Sequence, residues 1–517
     1  FQDRVRDVVV GGRGVVGVRC ESGLELQAGA VVVTAGTFLR GRIHVGGSAG
    51  VPAGRSGEPA SESLARSLEG AGIEVARFKT GTPPRIDGRA VDYSRLERQP
   101  GESVPFHFDP YERVEPAGEL PCWIAWTGAE LKRIVLENLE RSALYGGEIG
   151  GRGPRYCPSI EDKVVRFPEA PRHQVFLEPE GLDTTELYVN GLSTSLPRDV
   201  QLAFLRTLPG LEEVRMTKTG YAIEYDYFPP RQLRHSLEHR EIEGLYFAGQ
   251  VNGTTGYEEA AAQGIVAGAN AALKAQGRLA WVLERDEAYI GVLIDDLITR
   301  GVDEPYRLFT SRAEFRLLLR QDNVVERLGP MGSRLGLLSD RQMERMEARG
   351  RTRGDVVGWF RGFRFSPERA RPVLERANSA LLADDATAEE LVRRPELRAR
   401  DLAEAGGADF LQDDAALDLL AAVEVEMKYA GYVRREAERA QRLRERSEFS
   451  LGGDLPYRSF ATLSHEAREK LERLRPDTLA QAGRIPGVSP ADLQNLVLEV
   501  RKLRSGDPRE PVAGSGL

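Results

Sequence analysis

The sequence predicts an α/β fold followed by an all-α region, and three observations support this prediction. One apolar strand ends in the small residues Ala35-Gly36-Thr37. A second ends in Ala248-Gly249-Gln250 and is followed, after a glycine-rich loop, by a small-residue helix over residues 257–272, which is the pattern of a βα unit. After Trp281 the composition shifts to Glu, Arg, Ala and Leu, with apolar residues at helical spacing.

Composition and charge limit the class of protein. A length of 517 residues suggests roughly three domains of about 150 residues each. No stretch of about 18 apolar residues and no signal-like start occur, so no membrane span and a cytoplasmic location are predicted. Three distant cysteines and six scattered histidines predict neither a disulfide framework nor a metal site. The formal net charge of -8 means that any nucleic-acid contact must come from local basic patches.

The first 38 residues are expected to form consecutive strands. A hairpin is predicted at Gly11-Gly12-Arg13. Residues 12–17 match the G-x-G-x-x-G pattern, but the match opens a strand instead of a helix, so we reject it as a dinucleotide fingerprint. The chain lacks an initiating Met and begins inside a β-type pattern, which suggests that a preceding segment is missing.

Residues 79–215 are predicted to be an insertion that splits the α/β domain. Strand-like pieces lie at 173–177 and 186–189. Within the insertion, Cys157 follows a glycine-rich approach and precedes a short predicted helix. Ser159 and Asp162 have the spacing of a capping box, and Pro168 would end the helix after two turns.

Cys157 is the candidate catalytic residue. A helix start and the nearby cations Arg155 and Lys163 both favour a thiolate, which is the nucleophilic form. An inert, buried cysteine is the alternative. Arg155 and Lys163 would tune the pKa of the thiol or bind phosphate, or they are simply a solvated pair of cations.

An all-helical domain is expected over residues 276–504. Its clearest apolar helix face is formed by Ala416, Leu419, Leu420, Val423 and Met427. Lys428–Arg435 interleaves cations with aromatic residues, as a surface that binds phosphates and unpaired bases would, although interspersed glutamates equally fit a salt-bridged solvent face. Ser489 and Pro490 predict a capped helix start, and residues 505–517 are predicted to be a disordered tail.

These motifs together resemble the MnmG/GidA family, the large flavin-dependent subunit of the bacterial enzyme that modifies the wobble uridine of tRNA. The resemblance runs in register from residue 1 to about residue 503. The segments that carry it are residues 34–39, 79–85, 153–163, 176–181, 220–226, 248–259 and 307–316. The family opens with a G-x-G-x-x-G βαβ unit and a second functional cysteine, and neither is present in this chain.

The resemblance implies the domain organisation. A discontinuous Rossmann-like FAD/NAD(P)-binding domain, N-terminally incomplete, is expected at residues 1–78 and 216–275. The inserted α+β domain is expected at 79–215, and the helical domain at 276–504 would contact tRNA and a partner.

The resemblance also implies site residues. FAD would contact Val5, Ser61, Gly249 and Gln250. NADH would bind at Gly153–Phe167, through Gly153, Pro154, Arg155, Tyr156, Ser159, Glu161, Asp162, Lys163, Arg166 and Phe167. Lys428, Arg434, Arg435 and Arg439 are the expected tRNA-binding residues.

The implied activity is formation of the 5-carboxymethylaminomethyl or aminomethyl group on uridine 34. Methylenetetrahydrofolate would supply the one-carbon unit, and Cys157 would add to C6 of uracil or act as an acid or base. The implied partners are the tRNA anticodon region, an MnmE-type GTPase subunit and a second copy of the chain, within a heterotetramer. Two alternatives are an inactive tRNA- or partner-binding fragment and a folate- and FAD-dependent tRNA uracil-5-methyltransferase. The long helical region argues against the latter.

Overall fold

The computed structural model describes residues 2–47, 49–101, 109–111, 120–150, 153, 158–447, 449–451 and 455–505. These residues divide into two compact units. The first falls within Phe1–Phe106, Val114–Val282 and Leu293–Leu308, and the second within His107–Arg113, Leu283–Val292 and Phe309–Leu517.

The elements follow in chain order. The strands are β1 (Val5–Gly11), β2 (Gly14–Cys20), β3 (Glu25–Gln27), β4 (Val31–Val33), β5 (Arg42–His44), β6 (Val51–Pro52), β7 (Ala76–Thr82), β8 (Arg85–Asp87), β9 (Glu97–Gln99), β10 (Cys122–Trp126), β11 (Gln174–Pro179), β12 (Glu186–Asn190), β13 (Met216–Lys218), β14 (Tyr221–Tyr227), β15 (Leu245–Phe247), β16 (Arg364–Phe365) and β17 (Ala386–Thr387). The helices are α1 (Glu62–Gly70), α2 (Ala129–Glu137), α3 (Ile160–Arg166), α4 (Arg198–Leu205), α5 (Tyr257–Ala275), α6 (Tyr289–Arg300), α7 (Val324–Leu335), α8 (Asp340–Gly362), α9 (Pro367–Arg376), α10 (Ala388–Val392), α11 (Ala399–Gly406), α12 (Asp414–Ser447), α13 (His465–Leu474), α14 (Leu479–Arg484) and α15 (Pro490–Ser505).

The N-terminal strands agree with the sequence prediction. β1 and β2 pair antiparallel through a turn at Gly12-Arg13, and β3 completes a three-stranded sheet. Gly12 has a φ of +62°, a conformation that glycine adopts without strain. The predicted hairpin is therefore confirmed. β4 and β15 form a separate parallel pair, so their carboxyl ends meet at one edge.

A four-stranded sheet in the order β6-β5-β14-β7 has two unlike faces. On one face the rings of Phe78 and Tyr227 stack with their centroids 3.8 Å apart. Alternation along β7 and β14 places Lys79 and its cross-strand neighbour Glu224 on the opposite face. The expected domain boundary between residues 78 and 79 falls inside β7, because this strand pairs with β14 along its whole length.

A six-stranded antiparallel sheet, in the order β13-β8-β12-β11-β10-β9, is built from residues 85–218. Its core contains side chains from strands β8, β11 and β12 and from helices α2, α3 and α4, among them Ile86, Val135, Ile160, Val175 and Phe204. The predicted strands at 173–177 and 186–189 are β11 and β12. This packing positions α3, the helix that follows Cys157 in sequence.

Among the described residues of the second unit, the regular elements are helices apart from one short ribbon. β16 and β17 pair there because Phe365 is fully buried, which draws an extended segment into the core. Residues 293–308, which we expected in the helical domain, fall in the first unit. The predicted apolar face of residues 416–427 is buried on α12, and Ser489 caps α15 by accepting a hydrogen bond from the Asp492 N–H at 3.2 Å. Among the helices that the structure describes, none is both long and apolar enough to cross a bilayer.

Candidate functional site

The loops that follow β4 and β15 lie against each other. Gly36 and Gly249 have φ values of +56° and +84°, and a Cβ built on Gly36 would lie 3.9 Å from Gln250 Oε1. Glycine at these positions lets the backbone of each loop turn sharply and leaves room for a ligand backbone or ring to come close. The carboxyl edge of a parallel strand pair is a common ligand position in α/β folds.

A buried glutamine holds the second of these loops in place. Gln263, on α5, accepts hydrogen bonds from the Gly249 N–H at 3.2 Å and from Asn252 Nδ2 at 2.8 Å. Its Nε2 donates to Thr254 Oγ1 at 3.1 Å. Sequence reasoning missed Gln263, although a polar residue in a helix otherwise rich in alanine and glycine was a usable signal.

Ser61 and Val5 lie in the same unit as these loops. Ser61 lies beside the loop that follows β4, and Val5 lies on a strand that packs on α1. The Ser61 N–H donates to the Phe38 carbonyl at 2.8 Å, and Ser61 precedes α1. Val5 begins β1, which packs on α1 and is linked to it by a 3.1 Å hydrogen bond from the Val8 N–H to Ser67 Oγ. Ser61 and Gln250 therefore flank the segment 36–39.

The loop that contains Cys157 is described only at its two ends. Pro154, Arg155, Tyr156 and Cys157 lie outside the described residues, while Gly153 and residues 158–167 lie within them. Ser159 caps α3 by accepting a hydrogen bond from the Asp162 N–H at 3.1 Å. The helix ends at Arg166 ahead of Pro168, so the predicted short helix is confirmed.

Glu161 points into the protein. It is fully buried, and its Oε1 accepts hydrogen bonds from the Ser195 N–H at 2.9 Å and from Ser142 Oγ at 3.2 Å. Burial raises the pKa of Glu161, because the charged form loses its hydration, while these hydrogen bonds oppose the shift. Glu161 fixes α3 to the segment around Ser195.

The other predicted residues of the segment 158–167 either lie at the surface or form hydrogen bonds with the main chain. Lys163 Nζ donates to the Gly191 carbonyl at 2.8 Å. Arg166 lies 3.4 Å from Asp162 Oδ1, and Phe167 is exposed. Asp162 also accepts a 3.2 Å hydrogen bond from the Tyr145 hydroxyl, and burial together with this carboxylate raises the pKa of Tyr145 to about 12.

A pocket lies between α3, β7 and the segment 193–195. Lys79, Gly153, Asp162, Arg166 and Ser193 are among the residues that line it. Lys79 crosses Gly153 so closely that a Cβ on Gly153 would lie 2.5 Å from Lys79 Cε. Burial lowers the pKa of Lys79, because the ammonium loses hydration, and the carboxylate of Asp162 opposes this shift.

The pocket and the glycine loop are on opposite faces of the four-stranded sheet. Gly253, at the end of the loop, would place a Cβ 3.2 Å from Phe78 and 3.4 Å from Tyr227. Lys79 projects from the other face of β7. The structure therefore places the predicted FAD residues Ser61 and Gln250 next to the segment 36–39, and the four-stranded sheet lies between the glycine loop and the pocket of the predicted NADH residues.

The predicted tRNA residues on α12 have different surroundings. Lys428 Nζ donates to the Leu397 carbonyl at 2.7 Å, the Pro395 carbonyl at 3.2 Å and Glu424 at 2.8 Å. The three arginines are exposed and form no ion pair with any residue that the structure describes; they are Arg434, Arg435 and Arg439.

Aromatic side chains accompany these arginines. Tyr429 and Tyr432 are both about half exposed, and the Arg435 guanidinium lies 4.8 Å from the centre of the Tyr432 ring. Glu436 is turned away, because its carboxylate accepts hydrogen bonds from the Leu317 and Leu318 N–H groups at 2.9 and 3.1 Å. Glu436 therefore does not neutralise the arginines of this surface.

Comparisons with known proteins identify the family. The model of the family "Glucose inhibited division protein A" matches residues 1–279. Two further models match the second half: the MnmG/GidA C-terminal helical domain at 340–437 and the C-terminal helical bundle at 439–513. The chain belongs to the MnmG/GidA family.

Curated MnmG/GidA relatives align with almost the whole chain. The tRNA uridine 5-carboxymethylaminomethyl modification enzyme MnmG of Christiangramia forsetii is 45% identical over 501 residues, which are 96% of this chain and 80% of that protein. The enzyme of the same name from Geotalea uraniireducens is 47% identical over 510 residues, covering 98% and 80%.

Solved GidA structures share the fold. GidA of Aquifex aeolicus, in two crystal forms, superposes with a TM-score of 0.85 in each. The identities are 42% and 44%, with 97% and 96% of this chain covered and 79% and 80% of those chains. The predicted family and fold class, α/β plus a C-terminal helical domain, are thereby confirmed.

The MnmG/GidA segments quoted from the sequence contained one further residue of interest. Lys79 begins the segment 79–85, which helped to identify the family, but sequence reasoning gave it no role. Only the fold shows that Lys79 lies beside Gly153 in the pocket.

Among the described residues, no group of three or more potential metal ligands occurs.

Proposed function

We propose that this chain modifies the wobble uridine of tRNA, forming the 5-carboxymethylaminomethyl or aminomethyl group. The observation that carries the proposal is that relatives at 45% and 47% identity, aligned over nearly all of the chain, are named for this modification. The glycine loop, the pocket beside Gly153 and the arginine surface of α12 offer separate places for a cofactor, a reacting group and a nucleic acid.

The glycine loop fits a flavin cofactor. Gly36, Gly249 and Gln250 lie together at the carboxyl ends of parallel strands, and Gln263 holds Gly249. Asn252 is fully buried, and its Oδ1 has no hydrogen-bond partner among the residues described, so the loop has an acceptor to spare for a ligand. Val5, Ser61, Gly249 and Gln250 would hold FAD, which supplies the redox chemistry when bound.

The second cofactor, NADH, is assigned to the pocket side. Gly153, Ser159, Asp162 and Arg166 line the pocket and belong to the segment that the resemblance assigns to NADH. Glu161 and Lys163 have internal hydrogen bonds, so we give them the role of holding α3 in position. Phe167 is exposed and available for a stacking contact.

The base chemistry is assigned to Cys157. Its thiolate would form a bond to C6 of uracil, and the electron pair of the C5–C6 double bond would move onto the C4 carbonyl oxygen as an enolate. C5 would then attack the methylene carbon of the iminium form of methylenetetrahydrofolate, and the electron pair of that C=N bond would move onto the folate nitrogen. Loss of the C5 proton and departure of the thiolate restore the double bond, so the cysteine is regenerated.

The tRNA would bind along α12. Arg434, Arg435 and Arg439 can neutralise phosphates, and Tyr429 and Tyr432 can stack on unpaired bases of the anticodon region. Lys428 is excluded from this contact, since three internal partners already satisfy its ammonium. A GTPase subunit, a homodimer within a heterotetramer and a cytoplasmic location rest on the family resemblance.

The first experiment is covalent trapping with tRNA that carries 5-fluorouridine at the wobble position. The chain, loaded with FAD and supplied with methylenetetrahydrofolate, should form a denaturation-resistant complex, because after C5 has bonded to the one-carbon unit its fluorine cannot leave as a proton does. Cys157→Ser should form none, while Cys122→Ser, at a partly buried thiol of strand β10, should behave as the unaltered chain does.

The visible absorbance spectrum after desalting completes this test. A retained flavin spectrum with trapping that depends on Cys157 supports the proposed enzyme. Tight tRNA binding with neither flavin nor adduct would overturn it in favour of a binding fragment. A 5-methylated product would favour the methyltransferase instead.

A further inference from the structure

One cation of the pocket has no partner among the residues that the structure describes. Among the described residues, Lys79 Nζ has no hydrogen bond and no carboxylate within 4.0 Å, and the side chain is partly buried. The cations around it are engaged: Lys163 binds the Gly191 carbonyl, and Arg166 pairs with Asp162. A partly buried ammonium that has gained no partner in the fold can donate its hydrogen bonds to a ligand in the pocket.

A hydroxyl donor lies in the same pocket. Ser193 is nearly buried, and its Oγ makes no hydrogen bond with the residues that the structure describes. The Oγ lies 2.7 Å from the place that a Cβ on Gly81 would occupy, so glycine at position 81 leaves this hydroxyl facing open space. Gly81 is two residues from Lys79 on β7, so both positions face the same side of the sheet.

The charges of the pocket favour an anion. The ionised side chains that line it are Lys79, Arg166 and Asp162, which leaves a single net positive charge. Asp162 is already neutralised by Arg166 and by hydrogen bonds from Tyr145 and Ser159. Glu224, the other acid on this face of the sheet, lies 3.2 Å from His44 Nε2, and Glu161 points away into the core.

We propose that Lys79 and Ser193 form an oxyanion-binding site, in which the ammonium and the hydroxyl both donate hydrogen bonds to one negatively charged oxygen. The inference rests on the proposed function for the identity of that oxygen. Two sources share the chemistry: a phosphate oxygen of the nicotinamide cofactor, and the C4 enolate oxygen of the uracil after the thiolate has added. Lys79 is a ligand-binding residue in either case.

The test compares Lys79→Met and Ser193→Ala with Lys218→Met. Methionine keeps the side-chain stem that packs across Gly153 and removes only the charge. Lys218 is a matched control, since it lies on β13 outside the pocket and loses only a surface ion pair with Glu186. Melting temperature, with and without inorganic phosphate at constant ionic strength, gives a readout that needs neither cofactor nor tRNA.

Phosphate should raise the melting temperature of the unaltered chain and of Lys218→Met in a saturable way. It should have little effect on Lys79→Met and a reduced effect on Ser193→Ala.

Two further arms of the experiment, NADH binding and covalent trapping of tRNA, identify the source of the oxygen. If the oxygen belongs to the cofactor, Lys79→Met raises the dissociation constant for NADH about tenfold to hundredfold, as expected for loss of one charge-assisted hydrogen bond. If it is the enolate oxygen, the rate of covalent trapping by 5-fluorouridine tRNA falls by a similar factor while NADH binding is unchanged.

The outcomes separate this proposal from the proposed function. If Lys79→Met folds and matches the unaltered chain in all three arms, the oxyanion site is wrong. If the unaltered chain neither binds NADH nor traps tRNA, the proposed function fails, but the phosphate arm still decides the role of Lys79. A phosphate response that Lys79→Met retains in full would then indicate an adventitious ion only and would overturn the site.

Discussion

The pocket of the first unit and the surface of helix α12 in the second both carry cations that the sequence nominated for binding. Beside the pocket, on α3, Lys163 is bound to a backbone carbonyl, whereas Lys79 in the pocket, which had no assigned role, has no partner among the described residues. On α12, Lys428 is held by two carbonyls and a carboxylate, whereas three nearby arginines are exposed. Each region therefore contains cations that stabilise the fold and cations that remain available to a ligand.

The contrast between carbonyl-bound and exposed cations shows how a basic motif should be interpreted. A cluster of positive charge in the sequence locates a region, but carbonyl oxygens at helix ends and turns compete with ligands for the same ammonium groups. Pro395 and Leu397 precede α11, and their carbonyls bind Lys428. Gly191 follows β12, and its carbonyl binds Lys163. Which cations are free is decided by loops that lie far away in sequence.

The largest expected effect concerns the free arginines of α12. Changing Arg434, Arg435 and Arg439 together to Gln should weaken tRNA binding about a hundredfold at low salt, because up to three phosphate contacts are lost. The slope of log Kd against log salt should also become shallower, by about two units. Filter binding or fluorescence anisotropy across a salt series measures both quantities.

The matched control removes three arginines that have partners. Arg361, Arg393 and Arg400 are exposed, lie in the same unit and pair with Glu389 or Glu404. Their triple change to Gln alters the net charge equally. If this variant loses as much tRNA affinity as the first one, net charge and not the α12 surface explains the binding.

The next largest effect concerns stability. Lys428→Met should lower the free energy of unfolding by about 2 kcal/mol, because a partly buried ammonium that bridges two carbonyls and a carboxylate is removed. Urea denaturation followed by circular dichroism measures this change. The single variant Arg434→Gln, at an exposed position, should stay within about 0.5 kcal/mol of the unaltered chain.

The salt dependence of tRNA binding tests whether the Lys428 ammonium contacts a phosphate of the tRNA. Folded Lys428→Met should keep the salt slope of the unaltered chain, since its ammonium does not reach a phosphate. A slope reduced by about one unit, with stability unchanged, would return Lys428 to the tRNA surface and contradict the distinction between the two kinds of cation.

Much of the fold could be predicted from the sequence where local signals were sufficient. The glycine turn at Gly12, the cap at Ser159 and the apolar spacing of α12 depend on neighbouring residues only, and the structure has all three. The ribbon of β16 and β17 could not be predicted, because it depends on burial of Phe365 among helices that are distant in sequence.

The candidate site could be predicted only in part, for the same reason. The segment that follows Cys157 was recognised, but the direction of each side chain on α3 depends on the sheet beneath it. Glu161 faces that core and Asp162 faces the pocket, although they are adjacent in sequence. The proximity of Lys79 to Gly153 is a contact across 74 positions, and no local pattern encodes it.

The last prediction tests this division between the two adjacent acids, Glu161 and Asp162. Burial raises the pKa of Glu161 in the folded chain above its unfolded value of about 4.5, so the folded state holds this proton more tightly. The stability that the protonated carboxyl provides is complete below that unfolded pKa and is lost as pH rises towards the folded pKa. Glu161→Gln cannot ionise, so its free energy of unfolding should fall less with rising pH.

Urea denaturation at intervals from pH 4 to pH 8 measures the difference between the two proteins. Relative to the unaltered chain, Glu161→Gln should gain about 1.4 kcal/mol for each unit by which the folded and unfolded pKa values of Glu161 differ. Glu137→Gln, at an exposed position on α2, removes an acid without this burial and serves as the control. A difference between Glu161→Gln and the unaltered chain that stays constant with pH would mean that Glu161 is hydrated in the folded chain. Its side chain would then face the pocket as Asp162 does, and the distinction between structural and available charges would not hold on α3.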